Sequence, residues 1–153
     1  MPLLLKMVGG LWKKLPPWAR TSVTRLTQPK FTVSVAGLIT NNDGRVLLLN
    51  HLLRPSSGWG LPGGFINRGE QPATAFRREI REEIGLEIRD IKLLKIRTFK
   101  RHVEILFRAS ASDEGAVLSR EIISLQWFAP DEIPREMNID QQFLIRKLLI
   151  PDI

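Results

Sequence analysis

Glu79, Glu82 and Glu83 lie in the stretch Arg78-Glu79-Ile80-Arg81-Glu82-Glu83-Ile84. A helix turns by about 100° per residue, so positions i, i+3 and i+4 share one face within mutual reach. Like charges at that spacing cost a few tenths of a kcal/mol each, and crowding them raises a carboxyl pKa. A hard divalent cation reverses the sign of that interaction. Mg²⁺ or Mn²⁺ prefers carboxylate oxygens and commonly shares its shell with substrate phosphates. A solvated acidic face laced to Arg77, Arg78 and Arg81 satisfies the same spacing, so these residues alone leave both readings open.

The surrounding sequence has the features needed to position such a face. Pro72 suits the first helical position, Gly85 suits the stop just past the last turn, and Ala73, Phe76, Ile80 and Ile84 form a neighbouring stripe for core packing. Upstream, Trp59-Gly60-Leu61-Pro62-Gly63-Gly64 supplies glycines that allow close backbone approach. A short loop from Phe65 then leads to Glu70.

The pattern Gly64, Glu70, Arg78-Glu79-Ile80, Glu82-Glu83, Gly85-Leu86 resembles the Nudix box at all nine defined positions, and nine positions at fixed spacing make coincidence a poor explanation. The chain is therefore identified as a member of the Nudix (MutT-like) hydrolases, with the resemblance extending from about Phe31 to Pro134. It implies an α/β fold, the α/β/α sandwich with a mixed β-sheet between helices. It also implies hydrolysis of a diphosphate in a nucleoside diphosphate linked to another moiety X, in which water attacks phosphorus while Mg²⁺ or Mn²⁺ neutralises the oxyanions. Carried over by position, Glu79, Glu82 and Glu83 are metal ligands, with the Gly64 carbonyl as a further one. Glu82 also lies within reach of Arg78 one turn earlier. Arg78 takes the role of a fork that orients a carboxylate, and Glu70 that of a loop-fixing acceptor. Box glutamates such as Glu82 and Glu83 compete for the general-base role with Glu121, whose placement six residues before Trp127 resembles the extra-box acid of MutT-type enzymes. Glu104 is a further alternative for that role, but its alternation with Val103 and Ile105 leads to the expectation that it faces outward.

Substrate contacts follow from residue type. Arg54, Arg97, Lys100 and Arg101 suit phosphates, and Trp59 or Phe99 suits stacking on a base. His51 and His102 lack ligand spacing, so no metal role is expected of them. The chain has no tyrosine or cysteine, and no proline between Pro72 and Pro130. The tyrosine of dinucleoside-polyphosphate members, the downstream proline of ADP-ribose members and the catalytic cysteine of isopentenyl-diphosphate isomerases are thus missing. None of these absences names the substrate. A ligand-sensing module and an RNA 5′-end pyrophosphohydrolase are the competing functions.

The chain has 153 residues with 43% apolar and 25% charged content, enough for one domain with a sizeable core. Zero cysteine excludes disulfides and thiolate chemistry and fits a reducing cytoplasm. Of the +7 net charge, residues 1–30 contribute six basic residues and no acid, leaving 17 basic against 16 acidic residues elsewhere. Residues 1–30 are expected to form a basic amphipathic arm, and residues 31–153 the hydrolase domain. Leu4, Met7, Val8, Leu11, Trp12 and Leu15 follow helical spacing until Pro16-Pro17. The run is too short to span a membrane and lacks signal-peptide organisation. It reads as a segment docking on its own body or on a second copy in a homodimer, or as a helix lying at a membrane surface. The expected partner of the domain is a small-molecule nucleotide, with no strong sign of nucleic-acid binding.

Strands are expected over Phe31–Thr40, Arg45–Asn50, Glu87–Thr98, His102–Ala111 and Ile122–Phe128. A tight hairpin is expected at Asp43-Gly44, a polar loop over Leu53–Gly58, and a turn at Ser112–Gly115. A last amphipathic helix runs from Ile139 to Ile150, with Phe143, Leu144 and Leu148 on its apolar side and Pro151 as its stop.

Overall fold

A computed structural model describes residues 2–54, 57–112 and 114–149. Pro55 and Ser56 of the polar loop, Asp113 of the expected turn, and Ile150 and Pro151 of the last helix lie outside the described residues. The chain divides into two compact units, Met1–Phe31 and Thr32–Ile153.

In the first unit, α1 spans Pro2–Lys14 and α2 spans Pro17–Thr27. Pro16-Pro17 separates them, since Pro17 cannot donate into the preceding helix yet suits the first position of the next. The sequence reading did not anticipate α2, whose Ser and Thr residues are weak helix formers. In the structure their hydroxyls donate to carbonyls one turn back: Thr21 to Pro17, Ser22 to Trp18, Thr24 to Arg20 and Thr27 to Val23.

The second unit runs β1 (Thr32–Thr40), β2 (Val46–His51), β3 (Trp59–Gly60), β4 (Gly63–Phe65), α3 (Pro72–Ile84), β5 (Arg89–Phe99), β6 (His102–Ser110), β7 (Ile122–Phe128) and α4 (Ile139–Leu149). β1 pairs in parallel with β6 along its whole length, from Thr32↔His102 to Thr40↔Ser110. It also pairs antiparallel with β4, and β6 pairs antiparallel with β5. β2 pairs antiparallel with β7 and β3. The Asn41–Arg45 turn closes with Gly44 at φ 74, but the expected hairpin is corrected: β1 and β2 share only Thr40↔Val46. β2 pairs with β7 along its length, from Val46↔Phe128 to His51↔Ile122.

Strand alternation sends successive residues to opposite faces. Val35 and Ile39 of β1, Leu47 and Leu49 of β2, and Phe107 of β6 pack with Phe76, Ile80 and Ile84 of α3. Ala36 and Leu38, Val46 and Leu48, and Leu106 pack on the other side with Ile145 of α4. The sheet thus lies between α3 and α4, giving the α/β sandwich. On the α3 face, Gly37 makes room for a ring: a Cβ there would lie 1.9 Å from Phe76 Cζ, and Phe76 stacks on Phe107 at 5.5 Å. Two packing expectations are corrected. Ala75, not Ala73, completes the buried stripe of α3, and Phe143 of α4 is 67% exposed while Gln142 and Ile145 turn inward.

Candidate active site

The site is assembled where β4 meets α3. Gly63, at φ 150, lies so close to β1 that a Cβ would stand 2.1 Å from the Val35 carbonyl oxygen. Its neighbour Gly64 faces the helix: a Cβ there would lie 2.4 Å from Glu79 Cδ. Only a glycine lets the backbone reach that carboxylate. α3 starts at Pro72 with no side-chain cap and ends at Gly85 in the left-handed conformation, its N–H donating to Arg81 O.

Arg78 ties the loop to the helix. Its Nε and Nη2 donate to the two oxygens of Glu70, each at 2.9 Å. Nη1 donates to Glu79 Oε1 at 2.9 Å and Glu82 Oε2 at 3.1 Å, and Nη2 also reaches the Phe65 carbonyl at 3.1 Å. The Arg78 fork and the Asn67 N–H hold the Glu70 carboxyl below its ordinary range. In turn Glu70, and after it Glu79 and Glu82, push the Arg78 pKa upward.

Glu83 stands in different surroundings. Burial, reinforced by the neighbouring charge of Glu79 and less strongly by Glu121, pushes its carboxyl up to about 7, against the opposing pull of Arg54 and a Gly63 backbone hydrogen bond. Its Oε2 is buried without a hydrogen-bond partner. The segment after β6 folds over this end of α3, with Leu118 N and Ser119 N donating to the Glu83 carbonyl and Ala116 N to that of Ile84. Glu121 follows, its carbonyl accepting from Leu52 N at 2.9 Å. That docking brings an acid outside the box into the field of Glu83.

Arg54 links the acids to a cleft. Its guanidinium lies over Gly60, where a Cβ would stand 1.3 Å from Nη1, and donates to the Leu61 carbonyl at 3.4 Å. Burial lowers its pKa, and the charges of Glu83 and Glu104 oppose that. The cleft, about 620 Å³, is lined among others by Arg54, Trp59, Arg97, His102, Glu104 and Gln141. Trp59 is fixed edge-on to Phe128 at 5.2 Å, and Arg97 pairs with Glu104 and lies 4.7 Å over the Phe99 ring. Of the six expected substrate contacts, the structure thus brings Arg54, Trp59, Arg97 and Phe99 together. Lys100 and Arg101 sit on the exposed β5–β6 turn, with Lys100 at φ 51, and do not line the cleft.

The outward orientation expected of Glu104 is corrected: its side chain is only 14% exposed and lies in the cleft. Its parity with Leu106, which is buried against the α4 side, carried that information. Other cleft groups were not singled out by the sequence reading. His102 is held by Thr32 Oγ1 at 2.7 Å and Ser34 Oγ at 2.9 Å. Gln141 accepts from Leu61 N across the chain, a contact with no local sequence signal. His51 is partly buried, and its pKa is lowered to about 4 by burial and then by Arg54.

The residues present fit a hard divalent cation by chemistry. The acids of α3 offer only oxygen donors, Glu83 Oε2 has no partner, and Gly64 leaves its backbone open against Glu79. In the arrangement seen, however, Arg78 draws Glu79 and Glu82 to itself. Among the described residues, no three acidic or histidine side chains converge on one cation position.

A box of this composition on the helix of an α/β sandwich defines a diphosphate-hydrolase class, and comparison with known proteins agrees. The NUDIX domain model matches residues 30–148, so the chain belongs to the Nudix family and is a Nudix-type pyrophosphohydrolase. A MutT-like protein of Streptomyces ambofaciens is 34% identical over 112 residues, 71% of either chain. The NAD-capped RNA hydrolase NudC of Mycobacterium tuberculosis is 31% identical over 109 residues. That match covers 69% of this chain but only 35% of the mycobacterial enzyme. Among solved structures, a MutT NUDIX hydrolase from Burkholderia pseudomallei superposes with TM-score 0.67 at 30% identity, covering 79% of this chain and 98% of the other. The family generally uses divalent metal ions.

Proposed function

We propose that the protein hydrolyses a diphosphate bond in a nucleoside diphosphate linked to another moiety X, with Mg²⁺ or Mn²⁺ as cofactor. The observation that carries this reading is the position of Arg54, whose charge reaches both Glu83 of the box helix and Glu104 of the cleft. A substrate spanning the two places its diphosphate beside the acids and its remaining parts in the cleft.

Glu79, Glu82, Glu83 and the Gly64 carbonyl are the groups that would hold a divalent cation, which would supply charge neutralisation for the diphosphate oxygens. Arg54 binds a phosphate oxygen and shields it from Glu83. Trp59 offers a ring face to a base, and Arg97, already braced by Glu104, offers a second cationic contact. Glu121 accepts the proton of the attacking water at its carboxylate. Arg78 holds Glu70 and the loop in register with α3.

A second reading, pyrophosphate cleavage at an RNA 5′ end, is favoured by relatives named for such activity: the NudC enzymes above, and an RNA pyrophosphohydrolase of Ectopseudomonas mendocina that is 39% identical over 64 residues. One assay separates the two. The full chain is incubated with nucleoside diphosphate sugars, dinucleotides, nucleoside triphosphates and 5′-triphosphorylated or NAD-capped RNA, with Mg²⁺ or Mn²⁺. Release of a monophosphate product from small nucleotides, lost in Glu83→Gln, is the expected result. Turnover of RNA alone establishes the second reading, and no turnover across the panel overturns both.

A further inference from the structure

The family match begins at residue 30, so α1 and α2 lie outside the part of the chain that the hydrolase activity explains. We propose that they form an interfacial arm that binds the surface of an anionic phospholipid bilayer.

Three observations meet here. First, both helices expose large apolar side chains: Leu5, Met7, Val8 and Leu11 on α1, and Trp18 at 74% and Leu26 at 84% exposure on α2. No residue of α2 is buried.

Second, these side chains are sorted. At about 100° per residue, Met7, Leu11, Val8, Trp12 and Leu5 of α1 fall on one continuous arc, while Lys6 and Lys13 fall opposite and Lys14 at the border. On α2, Trp18, Leu26, Ala19 and Val23 share an arc that also holds Ser22, with Arg25 at one edge, Thr27 and then Arg20 at the other, and Thr21 and Thr24 opposite. Cationic stems at the edges of an apolar arc reach headgroup phosphates while the arc enters the acyl boundary. Tryptophans at that depth satisfy both media.

Third, residues 1–30 carry six basic side chains and no acid, which complements an anionic leaflet. Among the described residues, no helix is long and apolar enough to cross a membrane, so the geometry is that of a helix pair lying on the surface.

The same features disfavour other occupants. A phosphate backbone would engage the basic residues but leave the apolar arcs in water. A second copy would bring two arms of the same positive charge face to face.

The test is co-sedimentation of the full chain with phosphatidylcholine–phosphatidylserine vesicles and with phosphatidylcholine vesicles, at low and physiological salt. Binding to the phosphatidylserine vesicles is expected with a blue shift of tryptophan emission. Binding weaker by on the order of tenfold is expected on pure phosphatidylcholine or after replacing Lys13, Lys14, Arg20 and Arg25 by Gln. The double variant Leu11→Asp, Leu26→Asp is expected to stay in the supernatant while the thermal transition of the body is unchanged. The inference is overturned if the parent chain fails to sediment at low salt, or if the aspartate variant sediments as the parent does. It is equally overturned if the aspartate substitutions instead convert a dimer to a monomer, or if the arm retains RNA but not vesicles.

Discussion

Arg78 holds Glu70 by two parallel hydrogen bonds, Nε to Oε1 and Nη2 to Oε2, both at 2.9 Å. The same guanidinium reaches Glu79 and Glu82 through Nη1. One side chain therefore sets the position of the loop that follows β4 relative to the acids of α3.

Arg78→Lys keeps the charge but loses the planar fork, which cannot be replaced by a point donor. Groups that orient metal ligands typically change affinity or activity by about 10–100-fold when altered. The expected outcome is a loss of that size in Mn²⁺ affinity and kcat, with unchanged circular dichroism, measured by steady-state hydrolysis across a metal titration. Activity within twofold of the parent would remove Arg78 from any positioning role.

Glu83 gives a pH dependence with a definite sign. Its carboxyl is raised to about 7 from an ordinary value of 4.5, so the native state favours the protonated form. Its contribution to stability is full below the ordinary value and is lost as pH rises through about 7. Glu83→Gln mimics the protonated acid and removes that loss. In metal-free buffer the variant is expected to gain on the order of 1 kcal/mol over the parent at pH 8, and nothing at pH 4. Urea denaturation at the two pH values measures the difference, and equal shifts at both would contradict the assignment.

Gly37 and Phe76 test the packing that seats the box helix. A Cβ on Gly37 would lie 1.9 Å from Phe76 Cζ, and the ring is fully buried and stacked on Phe107. Gly37→Ala is expected to cost about 1–3 kcal/mol by overpacking. Phe76→Leu made in the Gly37→Ala background should recover part of that, read as a coupling in a double-mutant cycle. Strict additivity would show that the ring moves aside freely.

The box helix was legible because its signals are local. Pro72 and Gly85 sit at its ends, the glutamates keep helical spacing, and Phe76, Ile80 and Ile84 fall on one stripe. Only Ala73 was misplaced, one residue pair away from Ala75, where the first turn meets the sheet. The loop-fixing bond of Glu70 was legible for the same reason. What the sequence did not show is non-local. The parallel pairing of Ser34 with Glu104 joins segments far apart in the chain, and it decides what Glu104 meets on the face that its parity with Leu106 assigns. The seat of Gln141 against Leu61, and the docking of Leu118 on the Glu83 carbonyl, likewise depend on chain crossings that no periodicity encodes. The parting of β2 from β1 after a single pair has the same origin: Asp43-Gly44 specifies a turn but not how far the strands stay together.

Gly63 and Gly64 are adjacent in sequence, yet their surroundings predict opposite outcomes for the same substitution. At Gly63 an added Cβ meets backbone, the Val35 carbonyl oxygen at 2.1 Å, and φ is 150. Neither can give way, so Gly63→Ala is expected to destabilise the fold by several kcal/mol, on the order of the largest single-site effects. At Gly64 the added Cβ meets only the end of the Glu79 side chain, at 2.4 Å from Cδ. That carboxylate can rotate away about its own side-chain bonds, so Gly64→Ala is expected to leave stability within about 0.5 kcal/mol. Displacing Glu79 from the Gly64 backbone separates two of the oxygen donors proposed for the cation. The Mn²⁺ concentration for half-maximal activity is therefore expected to rise on the order of tenfold. Thermal unfolding of both variants, set beside a metal titration of Gly64→Ala, measures the contrast. Equal destabilisation at the two positions would mean that Glu79 is locked in place rather than free to move. An unchanged metal titration in a stable Gly64→Ala would mean that the backbone at Gly64 takes no part in holding the ion.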